Sequence, residues 1–332
     1  MNRKRIWING WCGLLLWASG CGPGAATGGV DMSPPSNTCD STSQLKFAMK
    51  QVNLPVMPGY KSDVDGDGTS ENRLGTVIST LEGMGLDLQN NLNTDVKSGK
   101  FLMMADMQGP SMMSGCANVV VHSGDMPAMA PKYDGSDSFK PKPGETPVTL
   151  PGTLAGGTLQ TTRPKDQAPA AVSKLQMSVP MLGNVRLPIT IYGAQMTGGV
   201  SGTGVMSGEL HGVVRKKDID DNVIPMVAQA LTNQINADPT SNLSKYYTNL
   251  FEDQSTQASK DKCTSSPSMC CAKNPATCKL TSAELLANPI IQNITAPDVQ
   301  MFSGDTWAPV AGGTQKDSLS FGAGFSASKA SF

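Results

Sequence analysis

The chain has 332 residues, of which 39% are hydrophobic, 16% charged and 5% aromatic, and its formal net charge is −1. That length suffices for one large domain or two modest ones, and the charge balance excludes the basic surface that nucleic acid requires, so no nucleic-acid partner is expected. Only two histidines are present, His122 and His211, which excludes metal or acid–base chemistry built on several imidazoles.

Met1–Arg5 is basic and Ile6–Trp17 is an apolar run too short to span a bilayer, so residues 1–20 read as a secretory signal. Its end, Ala18-Ser19-Gly20-Cys21, resembles the lipobox of bacterial lipoproteins, with Ala18 where Leu is usual. The resemblance implies that the Cys21 thiol takes diacylglycerol, that the chain is cut on the N-terminal side of Cys21, and that acyl chains then anchor it to a membrane. Residue 22 is Gly rather than the Asp that retains lipoproteins at the inner membrane, which implies a lipid-anchored protein of the cell outer membrane. Cleavage removes Arg3, Lys4 and Arg5, leaving 23 basic against 27 acidic residues, and it leaves Trp307 as the one tryptophan. Residues 21–43, rich in Gly, Pro and Ser, read as a flexible tether to a globular region over 44–332.

The most specific chemical pattern follows at 63–72. Asp63, Asp65 and Asp67 occupy positions 1, 3 and 5 of a loop, Gly68 at position 6 permits a sharp turn, and Thr69 at position 7 offers its carbonyl. Hard oxygens at alternate positions around one centre suit Ca²⁺, whereas without a cation three such carboxylates repel one another. The loop resembles those of EF-hands, dockerins and thrombospondin type 3 repeats, which implies calcium as the cofactor. It departs from them at position 12, where Leu74 replaces the bidentate acid, so Glu71 at position 9, Asp87 or a more distant group must close the shell. With an incomplete shell the affinity expected is extracellular in kind, about 10⁻⁴–10⁻³ M, hence structural rather than signalling calcium. The competing reading is a solvated acidic turn.

Apolar residues at helical spacing follow over 74–81 and, more weakly, 86–97. Met103, Met104, Met107, Met112, Met113, Met126 and Met129 then crowd a segment that also holds Cys116 and His122. Thioethers select Cu(I), so Met104, Met107, His122, Met126 and Met129 are candidate copper ligands, although Met also serves as a core gap filler. Segment 109–173 is the least regular and leaves room for a domain boundary. Leu175, Met177, Val179 and Met181, then Val185, Leu187, Ile189 and Ile191, alternate around Gly183-Asn184 and predict a hairpin. The same alternation puts Met196, Val200, Met206, Leu210 and Val214 on one face, and Thr197, Ser207, Glu209 and a solvated His211 on the other.

Helical stripes recur over 221–236 and 243–251, the latter behind Ser241 as cap, and Thr281–Glu284 is a capping box closed by Pro289. Between them Cys263, Cys270, Cys271 and Cys278 resemble a degenerate calcium loop, with Leu280 and Glu284 at positions 8 and 12 but Lys273, Pro275 and Thr277 where acids belong. Disulfides could hold there what an ion holds elsewhere. With Cys39 and Cys116 they make six cysteines in the cleaved chain, an even number suited to an oxidising compartment; the four at 263–278 allow three pairings among themselves. A last strand alternates through Leu319, Phe321, Ala323, Phe325 and Ala327, out of register with Phe332 and with too few aromatics nearby for an outer-membrane barrel. The fold class expected is β-rich α+β, built as a β-sandwich with a few short amphipathic helices at one edge.

No GxSxG, Walker A, HExxH or GxGxxG motif occurs, so the chain is expected not to be an enzyme. The carboxylate loop leading into Asn72-Arg73-Leu74-Gly75, the segment Asn288-Pro289-Ile290-Ile291 to Ala296-Pro297-Asp298-Val299-Gln300, and Asp317-Ser318-Leu319-Ser320-Phe321-Gly322 together resemble a group of Gram-negative lipoproteins of unassigned activity. The expectation is a calcium-stabilised exported lipoprotein that meets the membrane through its lipid and binds an envelope or extracellular ligand or plays a structural role. The alternatives are a periplasmic copper binder and a secreted hydrolase.

Overall fold

In the computed structural model the described residues are 39, 43–55, 59–109, 111, 114–181, 185–201, 205–252 and 256–332. Cys21, most of the tether, Met112, Met113 and the Gly183-Asn184 turn lie outside them. The strands are β1 (Ser43–Asn53), β2 (Met103–Gly109), β3 (Ser114–Ser123), β4 (Val148–Ala155), β5 (Thr158–Thr161), β6 (Lys174–Pro180), β7 (Arg186–Val200), β8 (Val205–Arg215), β9 (Gln300–Ser303), β10 (Thr306–Val310) and β11 (Ser318–Lys329). The helices are α1 (Arg73–Gly83), α2 (Leu88–Ser98), α3 (Lys216–Asp218), α4 (Ile224–Ala237), α5 (Asn242–Phe251), α6 (Gln257–Ser265), α7 (Ser282–Ala287) and α8 (Pro289–Ile294), with a π turn at Ile219–Val223.

The β-rich α+β class is correct, but the sandwich is not what the strands build. One antiparallel sheet runs β5-β4-β3-β2-β1-β11-β8-β7-β6, and β5 also pairs with β7, closing eight strands into a barrel. Its inner wall takes one apolar residue in two from each strand: Phe47, Ala105, Val119, Leu150, Leu159, Met196, Leu210 and Phe325 all belong to one buried cluster. Each large side chain so buried contributes about 1.5–3 kcal/mol. Bulges at Met49/Gln51 and Tyr192/Gln195 insert an extra residue and reverse the parity, so that β1 points Phe47 and then Val52 inward, and β7 points Ile191 and then Ala194. Segment 109–173 supplies β3, β4 and β5 to this wall.

Closure is complete over only half the barrel height. The four residues of β5 join β4 to the upper part of β7; below, β6 continues the line of β5 along β7, and a cleft of about 580 Å³ separates it from the first residues of β4. Pro147 and Pro151 on one side and Pro180 on the other remove N–H groups from the facing edges, which discourages pairing with a foreign strand.

Tight connections join β2 to β3, β4 to β5 and β7 to β8 at the upper end, whereas the β6–β7 hairpin turns at the lower end, where the α-helices are also inserted. Helices α1 and α2 fall between β1 and β2, and α3 to α8 between β8 and β9. Their apolar stripes, Leu74, Val77, Ile78 and Leu81 on α1 and Ile224, Val227, Leu231 and Ile235 on α4, join the barrel cluster and plug its mouth. Ser241 caps α5 and Thr281 with Glu284 forms the expected capping box of α7. Pro289 does more than end α7, because it is also the first residue of α8, capped by Asn288. Helix α6 has no comparable apolar stripe, so its sequence does not mark it as a helix. Among the described residues no helix is long and apolar enough to cross a membrane.

Candidate metal centre

The carboxylate loop hangs from the outer face of β11. Ser62 and Glu71 exchange two backbone hydrogen bonds of 3.1 Å that close its neck. Asn72 then fixes the neck to the barrel: its Oδ1 accepts from Gly75 N, capping α1, and from Gly322 N at 3.1 Å, while its Nδ2 donates to the carbonyls of Tyr60 and Gly322. Tyr60, at φ 52°, lies so close that a Cβ on Gly322 would fall 1.9 Å from its carbonyl oxygen. Only glycine fits that approach.

Within the loop the chain coils around its own carboxylates. Asp63 accepts from Gly66 N (2.7 Å) and Gly68 N (3.3 Å), Asp65 from Asp67 N (3.2 Å), and Asp67 from Thr69 N (2.7 Å). Gly66 and Gly68 have φ of 86° and 89°, which a side chain would strain. One oxygen from each of Asp63, Asp65 and Asp67 lies within 4.8 Å of the others. Asp65 is 4% exposed and takes a further bond from Gly312 N at 3.2 Å, tying the loop to the turn after β10. Between the acids Val64 is buried with Val213, Val299, Met301, Phe302 and Trp307, so the loop is pinned by an apolar knob as well.

Glu71 sits at the edge of this cluster, with Oε2 buried and without a hydrogen-bond partner among the described residues. Burial first, then repulsion from Asp65, Asp67, Asp298 and Asp63, pushes its carboxyl up to about 7. Thr69 is exposed at the loop rim. Asp87 caps no part of the loop; its carboxylate accepts from Asn90 Nδ2 in α2. The acid that approaches Glu71 from afar is Asp298, held by Ser320 N and Oγ at 2.8 and 2.5 Å, with its own pKa raised by burial. Sequence spacing could not find Asp298 or Gly312, because both arrive through tertiary packing. The donor set is all hard oxygen, one buried oxygen lacks a partner, and the turns are glycine-built, so the residues fit a calcium ion.

The degenerate loop is held differently. Cys263 pairs with Cys270 and Cys271 with Cys278, each seven residues apart, and Cys39 pairs with Cys116 across 77 residues. Glu252, Lys262 and Glu284 are buried together: the Lys262 ammonium pairs with Glu252 and, at 2.8 Å, with Glu284, and it donates to the Lys279 carbonyl. A tethered ammonium thus stands between two buried carboxylates beside the stapled loop.

The candidate copper ligands are dispersed. Met107 points into the barrel and Met104 into a separate outer cluster with Ala48, Leu102 and Phe139. His122 lies opposite Met104 in the β2–β3 register, with its ring edge-on to Phe332, while Met126 and Met129 are 63% and 83% exposed beyond β3. His211 is not solvated as its polar parity suggested. It is 3% exposed, because segment 59–72 covers that face of β8 and β11, and its Nε2 meets Glu209 at 2.9 Å while Nδ1 has no hydrogen-bond partner among the described residues. Burial lowers its pKa against the opposing pull of Glu209. Comparison with protein-family models, curated proteins and solved structures finds no match for this chain.

Proposed function

We propose that the chain is a calcium-stabilised exported lipoprotein, anchored to the outer membrane through a lipid on Cys21, whose barrel domain has a binding or structural role at the cell envelope. The observation that carries this reading is the convergence of Asp63, Asp65 and Asp67 around one centre beside the unpartnered oxygen of Glu71. Asp63, Asp65, Asp67, the Thr69 carbonyl and Glu71 would hold the ion, which supplies the positive charge that lets these acids sit together and fixes the loop against β11 and Gly312. Three disulfides accord with an oxidising compartment. The lipid reading rests on the sequence at 18–21 and is tested by intact mass of membrane-extracted protein, where an N-terminus other than acylated Cys21 overturns it.

Calcium is tested by melting in EGTA and in excess Ca²⁺. At 100 times its dissociation constant the ion should add about 2.7 kcal/mol, a rise of several degrees in Tm. Asp65→Ala with Asp67→Ala should abolish the rise while costing little in EGTA, since repulsion is relieved along with the hydrogen bonds. Equal melting temperatures with no heat of binding would reduce the loop to an acidic turn.

A further inference from the structure

Where α1, α4 and α8 close the lower mouth of the barrel they leave an apolar cavity of about 60 Å³. Its wall includes Leu81, Ile189, Phe321, Ile219, Val223 and Val227, and its one polar residue, Thr295, turns its hydroxyl to the Ile291 carbonyl at 2.7 Å. A water molecule needs about 10–15 Å³ and two to four polar partners, so the volume admits water but the chemistry does not. Native interiors hold few voids of this size, and an empty one costs stability in proportion to its volume.

A second observation comes from the chain that forms the wall. Ile219–Val223 is a π turn, in which Ile224 N reaches back five residues to the Ile219 carbonyl. Pro225 explains it: lacking an N–H, it cannot make the next bond of an α-helix, and the preceding turn winds wider. Such turns are rare and concentrate at functional sites. Here the wide turn places Ile219, Val223, Ile224 and Val227 on the cavity together, and Val223 is the wall residue with partial exposure.

We propose that this cavity is a binding site for a small uncharged hydrocarbon group, of the size of propane or the end of an alkyl chain, entering past Val223. The proposal is independent of calcium. The test uses xenon and propane as probes of the full chain, in EGTA and in Ca²⁺. Wild type should give a saturable xenon NMR shift and a Tm that rises under propane. Val227→Phe, which fills the cavity, should lose both responses, and Val227→Ile, the smaller change that keeps the fold if Phe is not accommodated, should weaken binding several-fold. A xenon shift that never saturates, or that saturates equally in wild type and Val227→Ile, overturns the proposal whatever the calcium result.

Discussion

At Glu71 a proton takes the same buried oxygen that would meet the proposed cation. Its folded pKa of about 7 lies above the ordinary 4.5, so between those values the folded state binds more protons than the unfolded one. In EGTA, stability should therefore fall as pH rises from about 4.5 to about 7, and Glu71→Gln should flatten that slope in urea melts. His211 acts in the other direction: burial lowers its pKa below 6.5, so the unfolded state takes up protons first and stability falls as pH drops below about 6.5, a loss that His211→Gln should remove. Lys262 is the third charge worth substituting. Lys262→Met leaves Glu252 and Glu284 buried without their cation, and should cost about 3–5 kcal/mol, read as a lower urea midpoint.

Elements with an uninterrupted period are legible in the sequence: the β6–β7 hairpin, the stripes of α1 and α4 and the capping box at Thr281 lie where alternation, spacing and cap chemistry put them. Elements defined by their partners are not. β5 has four residues and no distinctive pattern, yet its pairing with β7 turns the sheet into a barrel, and two bulges reverse parity where the sequence gives only a mild break. The acidic loop is legible because its carboxylates are local, while Asp298, Gly312 and the cover over His211 depend on how the loop docks on β11. That docking has its own test. Gly322→Ala puts a methyl group against the Tyr60 carbonyl, forcing segment 59–72 off the strand, and should cost about 1–3 kcal/mol. Calorimetry should show weaker calcium binding in this variant although no ligand has changed; unchanged affinity would mean that the loop folds around the ion without the barrel.

In the whole molecule, β1 lies between β2 and β11, so the first and last strands are neighbours and neither half of the chain can complete the barrel alone. One cooperative transition follows if that closure governs stability. The Cys39–Cys116 bond ties the upper end, near the start of β1, across to β3; on chain-entropy grounds its 77-residue loop is worth about 4.5 kcal/mol, or about 7 °C in Tm. The carboxylate loop sits near the lower, helical end and shares no hydrogen-bond partner with that disulfide. Perturbations without shared partners should add. Calorimetric scans of wild type and of Cys39→Ser with Cys116→Ser, each in EGTA and in Ca²⁺, should show a single transition in all four conditions, lowered by the loss of the disulfide and raised by the same calcium increment in both backgrounds. Two transitions, one moved only by calcium and the other only by the disulfide, would show instead that the helical plug and the strand barrel unfold as separate units, with closure through β5 and β7 too weak to couple them.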